Sequence, residues 1–187
     1  ARAHLVGSSY GGFTALALAV AQPQRVQALV AVEPPMMKYA QASPAGREAE
    51  AQFRARVIGP ANAAFRAGDD VHAASLMTGG INGAAAATAS PEWAARRLQN
   101  VRAMKMLALS SDEFPLLAPQ ALAALPMPVL LLSGQDTPAV HREIFNNVCA
   151  VMPQAQHERV AGAGHGVSRD QPAWFNQRVL SFLQASR

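Results

Sequence analysis

The sequence predicts an α/β fold: a parallel sheet interrupted by a helical insertion. Three observations carry that expectation. Short, near-continuous apolar runs recur at residues 3–6, 28–32 and 128–132, as strands covered on both faces require. Segments of helical period separate those runs. Between the second and third runs lies an Ala-rich stretch, residues 36–125, with helical period and no strand pattern. With 187 residues the chain is long enough for one domain with an inserted subdomain.

Each element has its own local reason. The strand at 3–6 runs into Gly7-Ser8-Ser9-Tyr10-Gly11-Gly12, and 13–21 reads as a buried helix that stops before Pro23. The strand at 28–32 is broken by Glu33-Pro34-Pro35. Within the insertion, helices are expected at 45–57, at 61–78 despite Gly68, and at 91–109 with Pro91 in its first turn. Residues 79–83, rich in glycine, read as a loop, and the alanine run 84–87 as filler. The strand pattern resumes at 128–132 and turns at Ser133-Gly134. A helix at 139–151, a strand at 157–160, a loop at 161–166 and a helix at 171–183 complete the chain. The core is therefore expected from residues 1–35 and 126–187, with 36–125 inserted.

Composition excludes several function classes. Half the residues are hydrophobic and 15% are charged, which is incompatible with a disordered tail. No apolar run reaches the length of a membrane span. A single cysteine excludes an internal disulfide framework and a Cys-rich zinc site. The net charge of +4 comes from scattered arginines (Arg2, Arg25, Arg47, Arg54, Arg56, Arg66, Arg96, Arg97) that follow no phosphate track, so no nucleic-acid partner is expected. No secretory signal is visible, and the cytoplasm is the favoured compartment. P-loop, dinucleotide, metalloprotease and EF-hand motifs are absent, so neither cofactor nor metal is expected.

The chemistry concentrates in two motifs. Gly7-Ser8-Ser9-Tyr10-Gly11 fits G-x-S-x-G between a strand and a helix, the context of a nucleophile elbow. Such a turn lifts Ser9 above the carboxyl end of the sheet and turns the Tyr10 backbone N–H toward a developing oxyanion. Ala161-Gly162-Ala163-Gly164-His165-Gly166 follows the last strand and places His165, a candidate general base, at the same end. The third member has two candidates. Asp136 follows the third strand and Glu33 the second, both at the edge where ligand sites form. Either could orient the imidazole. A charge directly after Val30-Ala31-Val32 is expected to be partly buried and partnered, which leans the choice to Glu33. His4, His72, His141 and His157 are expected to be structural or solvated. Cys149 reads as a small hydrophobe. Met36, Met37, Met77, Met104 and Met106 read as core filler, or as the lining of an apolar channel.

His4-Leu5-Val6-Gly7-Ser8-Ser9-Tyr10-Gly11-Gly12 resembles the elbow of α/β-hydrolase fold esterases. Residues 128–132, Gly134-Gln135-Asp136 and Gly162-Ala163-Gly164-His165 resemble that family's later motifs. The resemblance spans the chain, with 36–125 matching only as a helical cap. It implies Ser9 as nucleophile and His165 as general base. The family's frequent acid position falls on Thr137, one past Asp136. Some haloalkane dehalogenases of the fold carry the acid at an offset similar to that of Glu33, but they use Asp where Ser9 stands. Ser8 replaces the family's frequent histidine. The resemblance also implies strands before the elbow strand, which would supply a second oxyanion donor; the sheet is thus expected to be incomplete at its amino-terminal side.

These readings point to a serine hydrolase acting on an ester, or another activated carbonyl, of a small hydrophobic substrate through an acyl-enzyme. Carbon–carbon bond hydrolysis is the alternative within the same machinery. A different class, a non-catalytic fragment or interaction module completed by the missing strands or a partner chain, rests on the incomplete sheet.

Overall fold

The structure is a computed structural model describing residues 1–83 and 91–186. Four strands, β1 (Ala3–Ser8), β2 (Val26–Val32), β3 (Val129–Gly134) and β4 (Gln156–Val160), form one parallel sheet in the order β1-β2-β3-β4. Helix α1 (Tyr10–Ala21) links β1 to β2, and α8 (Ala139–Val151) links β3 to β4. After β4 come the short α9 (Val167–Asp170) and then α10 (Pro172–Ala185).

The two apolar central strands explain the layering. Side chains alternate across a strand, so strands with a continuous apolar run, as at 28–32 and 129–132, must be covered on both faces. Leu29, Ala31, Val129 and Leu131 face one way and pack with Phe13, Leu16 and Ala19 of α1 and Ile144 and Val148 of α8. Ala28, Val30, Val32, Leu130 and Leu132 face the other way and pack with Val179 and Phe182 of α10. Leu29, Leu130, Leu131 and Leu132 are fully buried, each worth roughly 1.5–3 kcal/mol of apolar transfer. Strand β1 has β2 as its one partner among the described residues, and Val6 on it is 49% exposed.

Among the described residues, the segment between β2 and β3 is made of helices and carries no strand. It comprises α2 (Pro44–Phe53), a π-helical turn (Arg54–Ile58), α3 (Gly59–Arg66), α4 (Asp70–Asn82), α5 (Pro91–Gln99), α6 (Val101–Ala108) and α7 (Pro119–Ala123). It has a core of its own, in which Ala61, Phe65, Ala73 and Met77 pack with Val101, Met104 and Ala108.

Several expected boundaries differ. The helix expected at 61–78 is two helices: Gly68, at φ 82°, ends the first, and the Asp69 side chain caps the second by accepting from the His72 N–H at 3.0 Å. Of the expected loop 79–83, residues 79–82 are instead the last turn of α4, and Gly83, at φ 60°, ends it. Gly80 is there for close packing, since a Cβ on it would lie 2.3 Å from both Val57 methyls. The stretch 91–109 breaks at Asn100, and the last helix is preceded by the separate turn α9. Helix α7 is a five-residue turn begun by Pro119, too short to show a helical period in the sequence. The alanine run 84–87 lies outside the described residues.

Candidate active site

Strand register brings the site together. Ser8 pairs with Val32, and Val32 with Leu132, so Ser9 and Glu33 leave the sheet side by side, next to Ser133 of β3. The ladder continues one residue past the strands: the Ser9 N–H donates to Val32 at 2.8 Å and the Glu33 N–H to Leu132 at 2.9 Å.

Ser9 sits in the turn between β1 and α1 with φ 51° and ψ −122°. A positive φ is uncommon for a residue with a Cβ, and holding it costs about 1–3 kcal/mol. Gly7 makes the turn possible. A Cβ there would lie 2.3 Å from the Gly11 carbonyl oxygen, so no side chain fits where the helix folds back over the strand. Gly11 is different, with nothing described within 4 Å of its would-be Cβ. Tyr10 opens α1, so its N–H is among those without a carbonyl one turn earlier. The positive end of the helix therefore faces the Ser9 turn.

Glu33 is also at positive φ, 42°, and is held there from all sides. Ser133 Oγ donates to its Oε1 at 2.7 Å and the Gly134 N–H to the same oxygen at 2.8 Å. Thr137 Oγ1 donates to Oε2 at 2.7 Å, and Nδ1 of His165 meets Oε2 at 2.7 Å. Both members of the pair are buried, Glu33 at 3% and His165 at 6% exposure. Burial pushes the Glu33 carboxyl up. The hydrogen bond and charge of His165, the charge of His141 and the Ser133 hydrogen bond push harder, and it ends below the ordinary carboxylate value. An ionised carboxylate only accepts, so His165 Nδ1 carries the hydrogen, and in the neutral ring Nε2 is the nitrogen left with a lone pair.

His165 lies on the loop after β4, and that loop is fixed against β3. A Cβ on Gly134 would lie 2.1 Å from the Gly164 carbonyl oxygen and 2.3 Å from that of Ala163. The Gly164 N–H also donates to Asp170 Oδ2 at 2.9 Å.

Of the two candidate acids, the geometry pairs Glu33 with the imidazole. Asp136 is exposed, and its backbone N–H is tied to the Ala163 carbonyl at 2.9 Å. Thr137, where the resemblance puts an acid, is buried and donates to Glu33 instead.

A cavity of about 110 Å³ opens beside Ser9. Its walls are mainly apolar, from Met37, Phe53 and Ile58, from Met77 and Ile81 of α4, and from Leu107 and Phe114. The π-helical turn matters here, because it supplies both Arg54 and Ile58 to the wall. Arg54 is engaged, its Nε donating to Glu50 at 2.8 Å. Phe114 stacks on Tyr10 and Phe13 at 5.9 and 5.3 Å and so joins the insertion to α1. Of the methionines, Met37 and Met77 line the cavity, Met36 is in the sheet core, Met104 packs in the insertion's core and Met106 is 68% exposed. Burial raises the Cys149 thiol to about 11, in keeping with its reading as a small hydrophobe.

The residue that sequence reasoning missed is His141. It was expected to be structural or solvated, yet it is 6% exposed, lines the Ser9 cavity and lies 4.5 Å, centroid to centroid, from the His165 ring. Burial first, and then the charge of His165, lowers it to about 3, against the opposing pull of Glu33 and a backbone hydrogen bond to Ile81. It is therefore neutral at physiological pH. Glu33, His141 and His165 also form a buried cluster whose potential ligand atoms lie within 4.8 Å of one another. Its glutamate is already saturated by Ser133, Gly134, Thr137 and His165.

These features define a class: a parallel α/β sheet with a serine turn, a buried carboxylate–imidazole pair and an apolar cavity at its carboxyl edge. The family model described as the alpha/beta hydrolase fold matches residues 1–172, and the chain belongs to that family. Carboxylesterase YbfK of Bacillus subtilis (strain 168) is 29% identical over 192 residues, covering 97% of this chain and 57% of that protein. The crystal structure of that esterase superposes with a TM-score of 0.64 at 26% identity, over 97% of this chain and 60% of the other. A thermophilic esterase from Thermogutta terrifontis superposes at 0.70 with 23% identity, over 99% of this chain and 65% of that one. Est816, described as an N-acyl homoserine lactone degrading enzyme, gives 0.70 at 21%, over 97% of this chain and 67% of that one. These last two show the fold. The chain thus spans less than two thirds of the length of the B. subtilis esterase. Among the described residues no helix is long and apolar enough to cross a membrane.

Proposed function

We propose that the chain carries the catalytic machinery of a serine esterase for small hydrophobic substrates. The observation that supports this most is the 2.7 Å contact of buried, ionised Glu33 with His165 Nδ1, at the sheet edge where Ser9 also emerges. In this reading Ser9 Oγ attacks the ester carbonyl while His165 Nε2 takes its proton. The tetrahedral oxyanion is stabilised by the Tyr10 N–H and the positive end of α1. His165 then gives its proton to the departing alcohol, leaving an acyl-enzyme on Ser9. Water attacks that acyl carbon, loses its proton to His165, and Ser9 recovers it as the acid leaves. Glu33 holds the ring in the tautomer that leaves Nε2 free and stabilises the imidazolium. Asp136 has no part in it. The helical insertion acts as a cap that roofs the acyl or alcohol pocket, and its apolar walls select hydrophobic groups. The carboxylesterase relative acts on the same class of bond that this machinery suits.

The test is hydrolysis of p-nitrophenyl butyrate, with Ser9→Ala and His165→Ala as controls. The reading expects turnover that both substitutions abolish; turnover that survives Ser9→Ala would overturn it.

A second reading is favoured by the edge position of β1 and the exposure of Val6 on it. Unpaired apolar edges invite strand addition. Here the chain is an interaction module that a further strand completes. Light scattering separates the two: an active monomer supports the first reading, and an inert self-associating chain the second.

A further inference from the structure

Proton transfer by His165 needs its Nε2 in one place, and the bond to Glu33 does not by itself fix that place. The backbone of the loop is pinned: the Gly164 N–H donates to Asp170 at 2.9 Å, and the Ala163 carbonyl accepts from the Asp136 N–H at 2.9 Å. Beyond the backbone the ring moves on two torsions, and the second has a broad, two-fold well in histidine. The 2.7 Å contact with Glu33 holds Nδ1 alone. A hydrogen bond tolerates angles from about 180° down to about 150°. One bond at one edge therefore lets the ring rock, and Nε2, on the far side, moves furthest.

The face of the ring has a partner as well. His141, in the first turn of α8, places its ring 4.5 Å from that of His165, centroid to centroid, at 31°. Rings this close and this near to parallel overlap face to face, at the near end of the range for packed aromatic pairs. Both are buried. His141 is itself held by a further segment. Phe53, the last residue of α2, meets its ring at 5.9 Å and 63°, and the His141 backbone N–H donates to the Pro138 carbonyl at 3.0 Å. Three rings from three segments thus form a row that ends on His165. Edge and face contacts restrain different motions: Glu33 resists sliding of the ring in its plane, and His141 resists tilting out of it. His141 is neutral at physiological pH, so it does not repel an imidazolium at His165.

We propose that His141 is a positioning residue: its ring stops that of His165 from tilting and so keeps Nε2 where the proton is transferred. This deepens the esterase reading and rests on it for the task that Nε2 performs. The requirement is a flat ring rather than a nitrogen, so phenylalanine should serve and alanine should not. A displacement of Nε2 by about 1 Å is enough to cost ~100-fold in rate.

The test compares wild type, His141→Phe and His141→Ala by two readouts. The first is the low-field proton resonance of His165 Nδ1 in its bond to Glu33, assigned by its loss in His165→Ala. It is expected sharp in wild type and His141→Phe and broadened or absent in His141→Ala, because a rocking ring opens that bond to exchange. The second is hydrolysis of p-nitrophenyl acetate, whose acyl group is too small to depend on the cavity walls. In His141→Ala kcat should fall roughly 10- to 100-fold with KM within about threefold, and in His141→Phe it should return to within about fivefold of wild type. A His141→Ala resonance that matches wild type, equal losses in both variants, or absence of the resonance from wild type would overturn the proposal. Should His141→Ala not fold, His141→Leu, which fills the space without a flat face, replaces it. The resonance needs no turnover. A wild type that shows it, with the expected loss in His141→Ala, but hydrolyses no ester sinks the esterase reading and leaves the ring contact. A wild type that hydrolyses the ester with a kcat indifferent to His141→Ala sinks only the positioning role.

Discussion

Replacing His141 by phenylalanine should make the protein less sensitive to acid, and the size of the effect follows from its burial. In the folded chain His141 gains a proton only near about 3, whereas in the unfolded chain it does so near 6.5. Below 6.5 the unfolded state therefore binds the extra proton, and folding stability falls as pH falls. Glu33 adds its own loss at lower pH. Its folded pKa is depressed, so the stability it contributes is present above its ordinary value of 4.5 and is lost as pH drops through the folded value. The window from about pH 7.5 to 4.5 consequently isolates His141. One proton across that window amounts to about 2.5 kcal/mol. Urea unfolding at several pH values, followed by circular dichroism, measures it. Wild type should lose roughly 2–3 kcal/mol more than His141→Phe across that window, with Glu33 and His165 present in both. Parallel pH dependences, or a His141 resonance that titrates near its ordinary value, would refute the argument from burial.

Other substitutions probe the remaining parts of the site. Glu33→Gln should lower kcat for an ester substrate by up to about 10⁴-fold, as loss of the orienting carboxylate does elsewhere, while Asp136→Asn stays within a few-fold of wild type; steady-state kinetics on both variants decides between the two acids. Gly134→Ala would drive a methyl into the Ala163 and Gly164 carbonyls, so both the unfolding midpoint and Ser9 reactivity should fall together. Gly11→Ala should leave the thermal midpoint nearly unchanged, whereas Gly7→Ala should prevent folding, because only the latter Cβ meets backbone. Phe65→Ala, in the insertion's separate core, should cost about 3–5 kcal/mol, read as a lower midpoint in chemical denaturation.

Much of the site was legible because register and order are written locally. Two central strands with near-continuous apolar runs, 28–32 and 129–132, require cover on both faces, and parallel strands deliver their following residues to one edge. Ser9, Glu33 and His165 could thus be placed together from the sequence. The choice of Glu33 over Asp136 needed more than spacing. It depends on Ser133 and Thr137 turning their hydroxyls onto Glu33, contacts 100 and 104 residues apart in the chain. His141 was missed because one histidine in the first turn of an amphipathic helix carries no periodic signal of burial; its environment comes from Phe53, Ile81 and His165, three distant segments. The glycines at 79 and 80 misled because glycine marks loops and close helix packing alike, and only the Val57 side chain distinguishes them.

The most direct test of the central claim, that Ser9 is a nucleophile activated by a Glu33-oriented His165, is labelling of the folded chain with a fluorophosphonate probe, with the labelled peptide mapped by mass spectrometry. The account predicts modification at Ser9, lost in Ser9→Ala and His165→Ala and strongly slowed in Glu33→Gln. A folded chain that takes no label, or takes it at another residue, would contradict it.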